Sequence, residues 1–237
     1  MNAPEHRKTP GHTNTPEHLN SLERTNTPAP NADFLTRLSK DRVIAVVRAP
    51  EIPDAAALCA ALRTGGIRWI EFTRTTPGLA AHLRKAVADG RDGVGAGTVM
   101  TAAQAEELID AGAQYLVTPG VRPDVARTAA AAGVPVVMGA LTPTEVGQVL
   151  DLGVAAVKIF PARAFGPRHF RDLAGPFPGV PLVASGGVDA GNAAGFLAAG
   201  ARAVCAGSEV VPPAVVAAGD WPELTRRARE FMVSLAG

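Results

Sequence analysis

The stretch PVVMGALTPTEVGQVLDLGVAAVKIFP, residues 135–161, decides the fold because it places one helix-like segment between two strand-like segments. The runs 135–140 and 156–161 are short, apolar and bounded by glycine or proline, which is typical of strands buried in a parallel sheet. Residues 142–153 start with Thr-Pro and end with Gly, the usual signals for the beginning and the end of a helix. The stretch therefore predicts one strand–helix–strand unit.

The same unit recurs along the chain from residue 33 onward. The other apolar runs that we predict as strands are residues 43–49, 69–73, 93–99, 115–120, 181–187 and 203–208. Eight such strands alternating with helices predict an α/β fold, a closed (β/α)8 TIM barrel. A doubly wound open sheet, the alternative, usually has fewer units. An extra N-terminal helix over residues 31–41 is expected to cap the bottom of the barrel.

Composition and charge exclude several classes of protein. Of the 237 residues 47% are hydrophobic, which is enough for a sizeable core, and the net charge of +1 gives no basic excess for nucleic acid. No run approaches the roughly 20 apolar residues of a membrane helix, and the N-terminus lacks the apolar core of a secretory signal. Cys59 and Cys205 are expected to be buried thiols of a cytoplasmic protein, with a disulfide as the alternative.

Residues 1–30 differ in composition from the rest of the chain. They are rich in Pro, Thr, Asn and His, have almost no apolar content and repeat the motif TNTP. Such a segment buries too little apolar surface to offset the entropy that ordering costs. We therefore expect a disordered extension over residues 1–30, with a metal-binding tail as the alternative, followed by one domain over residues 31–237.

Lysine is rare in this chain, and one lysine stands in an apolar strand. Of the 23 basic residues only four are lysines, and Lys158 lies in the otherwise apolar run 155–160. Because side chains alternate along a strand, Lys158 faces the barrel interior if its neighbours Val157 and Ile159 face the helices. Phe160 then faces the interior as well. A lysine that only extends to solvent from a strand end is the structural alternative.

Glu71 is expected to share the barrel interior with Lys158. On the predicted strand 69–73, alternation places Trp69, Glu71 and Thr73 on one face. The glutamate and the lysine lie near the carboxyl ends of their strands, the face on which (β/α)8 enzymes build their active sites. A buried pair with no chemical task is a poor stabiliser, so we favour a catalytic role over mere neutralisation of Lys158 by Glu71.

The ends of the seventh and eighth predicted strands have the composition of a phosphate-binding site. Their sequences are VASGGV, residues 183–188, and CAGSEV, residues 205–210. TIM barrels often hold a phosphate at these two strand ends, where glycines allow the backbone to approach an anion closely. The hydroxyls of Ser185 and Ser208 can add donors. Tight turns without a ligand are the alternative.

Six motifs together resemble one known family. GGIRWIEFT, GAGTV, AGAQYLVTPG, KIFPA, SGGV and AGSEVVP occur in this order within residues 40–235. In this combination the chain resembles the bacterial 2-keto-3-deoxy-6-phosphogluconate (KDPG) / 4-hydroxy-2-oxoglutarate (KHG) aldolase family. The resemblance implies a (β/α)8 barrel, a homotrimer and a class I aldolase that needs no metal and no cofactor.

The resemblance also implies a reaction and the residues that carry it. KDPG would be cleaved to pyruvate and glyceraldehyde 3-phosphate, as in the Entner–Doudoroff pathway, and KHG to pyruvate and glyoxylate. Lys158 would form the Schiff base, and Glu71 would act as general acid and base. The residues expected to bind the substrate are Arg48, Thr73, Thr75, Thr98, Pro119 and Phe160. Those expected to bind its phosphate are Ser185, Gly186, Gly187, Gly207 and Ser208.

One position departs from the family pattern. The family commonly has arginine four residues after the catalytic glutamate, where this chain has Thr75, and an arginine stands one residue earlier at Arg74. Neighbouring residues of an extended segment point in opposite directions, so Arg74 is not expected to substitute. The motif AFGP, residues 164–167, resembles the branch that acts on 2-keto-3-deoxy-6-phosphogalactonate, which is therefore an alternative substrate.

Two other functional classes are compatible with the same pattern. A phosphate-binding isomerase or synthase on this fold would use the same glycine-rich strand ends without a Schiff-base lysine. A non-catalytic phosphosugar-binding barrel would bind its ligand without turnover. The pattern indicates no nucleotide cofactor, nucleic acid or membrane as partner, and the expected ligands are a phosphorylated keto acid and pyruvate.

Overall fold

The structure of the chain is a computed structural model that describes residues 29–235. The extension predicted over residues 1–30 lies outside the described residues, apart from its last two positions, which begin the first helix. The predicted domain over residues 31–237 is described except for its last two residues.

Eight parallel strands form a closed barrel in which each strand pairs with its neighbours in the sequence and β8 pairs with β1. The strands are β1 (Val43–Val47), β2 (Trp69–Thr73), β3 (Val94–Gly97), β4 (Leu116–Val117), β5 (Val136–Ala140), β6 (Ala156–Ile159), β7 (Leu182–Ala184) and β8 (Ala201–Ala206). Every predicted strand is present, and most are shorter than predicted. The prediction of a (β/α)8 TIM barrel is confirmed.

Helices surround the barrel and close its bottom. They are α1 (Ala29–Asp41), α2 (Ala55–Thr64), α3 (Leu79–Val87), α4 (Ala102–Asp110), α5 (Pro123–Ala131), α6 (Pro143–Asp151), α7 (Gly166–Ala174), α8 (Ala193–Ala198), α9 (Pro213–Ala217) and α10 (Trp221–Ser234). The helices predicted over residues 101–112 and 142–153 are α4 and α6. Within the part of the chain that the structure describes, no helix is both long and apolar enough to cross a bilayer.

The start of α6 shows how local sequence fixes these helices. The Thr142 hydroxyl accepts a hydrogen bond from the Glu145 N–H at 3.3 Å. In return, the Glu145 carboxylate accepts one from the Thr142 N–H at 2.8 Å. This reciprocal capping satisfies two donors that the first turn of a helix otherwise leaves free.

Strand β4 ends at Val117 because the residues after it are held by hydrogen bonds of the Thr118 side chain rather than by continued backbone pairing. The Thr118 hydroxyl donates to the Gly120 carbonyl at 2.7 Å and accepts from the Gly139 N–H at 3.1 Å. Pro119 between them has no N–H to donate to a neighbouring strand. The chain therefore turns over the end of β5, and the backbone of Pro119 lies where a side chain at Gly139 would be.

Helix α1 closes the amino-terminal end of the barrel, as predicted. The Phe34 ring is buried, and its centroid lies 5.0 Å from that of Trp69 and 5.3 Å from that of Tyr115. Trp69 starts β2 and Tyr115 precedes β4, so both mark the bottom of the barrel. The Trp69 indole N–H also donates to the Asp41 carboxylate at 2.9 Å. With the bottom filled, access to the interior is left to the carboxyl ends of the strands.

Candidate active site

A cavity of about 510 Å³ opens at the carboxyl ends of the strands. The predicted site residues in its wall are Arg48, Glu71, Lys158, Phe160, Ser185, Gly186, Gly187, Gly207 and Ser208. The cavity thus unites the catalytic candidates with the phosphate-site candidates, although they are far apart in the sequence. A concave site with a few converging polar groups is the usual form of a small-molecule site.

Lys158 lies inside the barrel on β6, in register with Gly139 of β5. Only 7% of the residue is exposed, and its Nζ atom lies 5.3 Å from the centre of the Phe160 ring. Its neighbours Val157 and Ile159 are fully buried in the core between the strands and the helices. The inward orientation predicted from strand alternation is therefore the one observed.

Glu71 lies on β2, and only 1% of it is exposed. Its carboxylate lies against the backbone of Gly97 on β3, where the Cβ atom of any larger residue would overlap it. The Oε2 atom is buried and has no hydrogen-bond partner among the described residues. Glu71 thus holds an unsatisfied carboxylate oxygen inside the barrel, an arrangement suited to taking up and releasing a proton.

Lys158 and Glu71 line the same cavity without forming an ion pair. In the described structure no nitrogen–oxygen distance of 4.0 Å or less joins the two side chains. The two side chains therefore form no close salt bridge. Both groups are instead available to a molecule that enters the cavity.

The loop after β7 presents free backbone donors to the cavity. Gly186 and Gly187 have φ values of 88° and 79°, which residues with a side chain rarely adopt. Their N–H groups, and that of Ser208 after β8, donate to no acceptor among the described residues. Ser185 directly precedes this pair and is buried. Unpaired backbone N–H groups on glycine-rich loops in a cavity wall are the kind of donors that bind an anion.

Two arginines in the cavity wall, Arg48 and Arg163, have no carboxylate within 4.0 Å among residues 29–235. Only Arg48 was expected from the sequence. Arg163 reaches the cavity because a one-turn 3-10 helix, Ala162–Ala164, folds back so that its aliphatic stem packs on Gly187. The sequence offered one signal that Arg163 lies in the cavity, its closeness to Lys158. The alternation of side chains along β6 does not predict the orientation of Arg163, because it does not extend through the 3-10 turn.

Thr73, Thr75, Thr98 and Pro119 lie at the open end of the barrel but outside the cavity wall. Thr73 is buried, and its hydroxyl oxygen lies 2.8 Å from that of Thr75. Thr98 follows β3 with a φ of 61°, and Pro119 lies over the end of β5. Their expected contacts with a substrate stay predictions.

Arg74 points away from the cavity, as expected for a residue between two threonines of an extended segment. Its guanidinium forms an ion pair with Glu107 of α4 at 3.0 Å. Arg74 therefore supplies no positive charge to the cavity.

Both cysteines are buried free thiols, as predicted, so the disulfide alternative is wrong. Cys205 of β8 lies in the cavity wall, and burial raises the pKa of its thiol to about 11. Burial also raises the pKa of Cys59, in α2, to about 12. Neither thiol is ionised at neutral pH, so neither is a ready nucleophile.

Comparison with known proteins gives a match over most of the described chain. A family model for KDPG and KHG aldolase matches residues 35–227. A Treponema pallidum protein named 2-dehydro-3-deoxy-phosphogluconate aldolase is 38% identical over 199 residues, which are 82% of this chain and 94% of that protein. A Rhizobium meliloti protein named "Probable 2-dehydro-3-deoxy-6-phosphogalactonate aldolase" is 35% identical over 181 residues, which are 75% of this chain and 85% of that protein.

A solved structure shares the fold. The KDPG aldolase of Legionella pneumophila, with pyruvate captured at low pH as a covalent carbinolamine intermediate, superposes with a TM-score of 0.76. It is 29% identical in sequence, and the match covers 84% of this chain and 96% of that chain. The similarity therefore includes the strands that form the cavity.

Replacing Gly97 with alanine tests whether β3 must leave room for the Glu71 carboxylate. The added methyl group would overlap that carboxylate, so we expect Gly97→Ala to lower the free energy of unfolding by about 1–3 kcal/mol and to displace Glu71. Urea denaturation and a crystal structure of the variant measure the two effects. Gly147→Ala, on α6 with its nearest atoms at 3.9 Å, is the matched control and should not destabilise the protein. Equal stability of the two variants with Glu71 unmoved would contradict the packing described.

Proposed function

This chain belongs to the KDPG and KHG aldolase family, and on that premise we propose that it is a class I aldolase that cleaves KDPG to pyruvate and glyceraldehyde 3-phosphate. Aldolases are carbon–carbon lyases, and the chain is an enzyme of that class. One observation carries the proposal. A buried amine, Lys158, and a buried carboxylate, Glu71, line one cavity whose wall also holds free backbone N–H groups.

Lys158 is proposed to attack the C2 carbonyl of the keto acid. The attack requires a neutral amine, and Lys158 is buried in the cavity wall with no carboxylate within 4.0 Å among the described residues. The resulting carbinolamine takes up a proton on its hydroxyl and loses water, which leaves a cationic iminium on Nζ. The Legionella structure, with pyruvate captured as a carbinolamine, supports this route for a relative of the same fold.

Glu71 is proposed to act as general acid and base. Its carboxylate accepts the proton of the C4 hydroxyl, directly or through water, while the C3–C4 bond breaks and its electrons move to the iminium nitrogen. The aldehyde leaves, and the remaining enamine takes a proton at C3 from the Glu71 carboxyl. Water then hydrolyses the iminium, which releases pyruvate and restores the Lys158 amine.

The phosphate of the substrate is proposed to bind at the ends of β7 and β8. The unpaired N–H groups of Gly186, Gly187 and Ser208 support this placement, because they leave donors free for an anion. Arg48 and Arg163 add positive charge to the same cavity. Ser185 and Gly207 complete the proposed phosphate site.

The keto-acid end of the substrate is proposed to lie deeper, beside Lys158. Phe160 provides an apolar wall there, since its ring faces the lysine Nζ. The residues proposed to bind this end and the central hydroxyls are Thr73, Thr75, Thr98 and Pro119. None of the four lies in the cavity wall of the structure, so this part of the proposal rests on the family pattern.

Two related acids are alternative substrates, each supported by a particular observation. The 35% identity to the Rhizobium protein, the motif AFGP and Thr75 in place of an arginine support 2-keto-3-deoxy-6-phosphogalactonate. The family model includes KHG aldolases, which supports a second activity that yields pyruvate and glyoxylate. The three acids share the C1–C3 unit and a hydroxyl on C4, so one lysine would serve all of them. KDPG and its galactonate isomer have opposite configurations at C4, so the position of the Glu71 carboxylate relative to the C4 hydroxyl would favour one of the two.

We further propose that the enzyme is a cytoplasmic homotrimer of the Entner–Doudoroff pathway. The trimer and the pathway rest on the family resemblance. The two buried thiols, Cys59 and Cys205, fit a reducing compartment.

A cleavage assay with three acids tests the proposed function. We expect the wild-type enzyme to release pyruvate from KDPG, its galactonate isomer or KHG. Lys158→Arg keeps the positive charge but removes the nucleophile, so it should lower kcat by on the order of a thousandfold or more. Lys85→Arg, on the exposed face of α3, is the matched control and should stay fully active. No pyruvate from any acid, or an active Lys158→Arg variant, would refute the proposal.

Arg163 provides a second test, specific to the phosphate. Loss of a charge-assisted hydrogen bond typically costs about 1.5–3 kcal/mol, so Arg163→Ala should raise KM for the phosphorylated acids by roughly tenfold or more. Cleavage of unphosphorylated KHG should change little. Arg168→Ala is the control, because its side chain is 84% exposed and outside the cavity. An equal loss with phosphorylated and unphosphorylated acids would exclude this role for Arg163.

A further inference from the structure

Two buried polar atoms have no hydrogen-bond partner among the described residues, Oε2 of Glu71 and the hydroxyl of Tyr115. Tyr115 is fully buried in the barrel interior. Buried polar groups are nearly always hydrogen-bonded, because leaving them unpaired costs the full desolvation of the group. A phenylalanine would pack equally well at this position, so the tyrosine hydroxyl calls for a physical explanation.

Strand register brings the Tyr115 ring to the side of Glu71. Glu71 of β2 pairs with Gly95 of β3, and the Ala96 N–H donates to the Tyr115 carbonyl at 3.0 Å. Gly95 has no side chain, and the Tyr115 ring fills that space, with Cζ 2.6 Å from where a Cβ atom would be. The ring centroid also lies 5.8 Å from that of Trp69 on β2. The tyrosine therefore reaches across β3 toward the strand that carries Glu71.

The Glu71 carboxylate lies over Gly97, two residues beyond Gly95 on the same face of β3. Positions two residues apart along a strand are separated by about 6–7 Å. The Tyr115 hydroxyl, one bond beyond Cζ, and the Glu71 carboxylate extend into the space over these two glycines. No hydrogen bond of 3.5 Å or less joins the two groups, so a link between them requires a bridging water molecule.

We propose that Tyr115 is a positioning residue, which donates a hydrogen bond through one buried water to Oε2 of Glu71 and thereby favours the ionised carboxylate. The inference rests on the proposed role of Glu71 as general base. It gives both unpaired atoms a partner in a place where a buried water commonly satisfies such groups. Tyr115 itself does not contact the cavity.

The tyrosine is suited to act only as a donor. Burial, together with the nearby Glu71 carboxylate, raises the pKa of Tyr115 well above its ordinary value, so its hydroxyl keeps its proton throughout the working range. The other titratable groups that line the cavity with Glu71 are Arg48, Lys158, Arg163, Asp189, Cys205 and Glu209. Burial raises the pKa of the Cys205 thiol to about 11, so this group keeps its proton near neutral pH.

Tyr115→Phe tests the proposal because it removes the hydroxyl and keeps the ring. A hydrogen bond to the ionised carboxylate favours that form, so its loss should move the acid limb of the kcat–pH profile upward by about 0.5–1 pH unit. We expect kcat at pH 7 to fall about three- to tenfold, with little change in KM, and pyruvate methyl-proton exchange to fall in parallel. Thr225→Val removes a hydroxyl that bonds the Ala61 carbonyl far from the cavity, and it should leave the profile unchanged.

Tyr115→Phe is also made in the Glu71→Gln variant. The comparison shows whether the substitution lowers the rate through Glu71 or by disturbing the barrel as a whole. Tyr115→Phe should lower the residual rate of Glu71→Gln by less than about twofold if the hydroxyl acts through this carboxylate. An unmoved acid limb in Tyr115→Phe, or an equal loss of rate in both backgrounds, would overturn the proposal. Failure of the proposed function is distinguished by the wild type, which would then release no pyruvate. In that case a crystal structure tests the proposed hydrogen bonds directly. A water within about 3.2 Å of both the Tyr115 hydroxyl oxygen and Glu71 Oε2 would support them, and its absence would overturn them.

Discussion

Two glycines of β3 leave the space inside the barrel on which the site depends. The interior of an eight-stranded barrel is only wide enough for side chains to fill it. The Glu71 carboxylate lies over Gly97 and the Tyr115 ring lies over Gly95, so neither would fit beside a larger residue on β3. Gly139 of β5 makes room for Pro119 in the same way. The inward positions that lack a side chain thus determine where groups from neighbouring strands can lie.

Within that space, an amine and a carboxylate are buried without contact. A buried ion pair would lock Lys158 as an ammonium and Glu71 as its counter-ion, which would oppose nucleophilic attack. Separation on β6 and β2 instead leaves both groups free for the proposed reaction, in which the amine attacks the substrate carbonyl and the carboxylate accepts the proton of the substrate hydroxyl. Burial of the Glu71 carboxylate costs folding free energy, and the apolar packing of the barrel compensates for it.

Local sequence signals were sufficient for the barrel and for the inward orientation of Lys158 and Glu71. Alternation along a single strand turned Lys158 and Glu71 inward, and strand order placed the glycine-rich ends of β7 and β8 together. Contacts between elements were not predictable in this way. Arg163 enters the cavity through a one-turn helix, and Tyr115 approaches Glu71 through the register of three strands. The positions of both side chains depend on how segments that are distant in the sequence pack together. The spacing of apolar residues within one segment does not predict such packing.

Reduction with borohydride in the presence of pyruvate is the measurement that tests the Schiff-base site most directly. Borohydride converts an iminium into a stable secondary amine, which peptide mapping by mass spectrometry locates on one lysine. We expect a single pyruvate-derived adduct on Lys158, none on Lys40 or Lys85, and loss of activity in proportion to its formation. An enzyme that cleaves its substrate yet leaves Lys158 unmodified would contradict the mechanism.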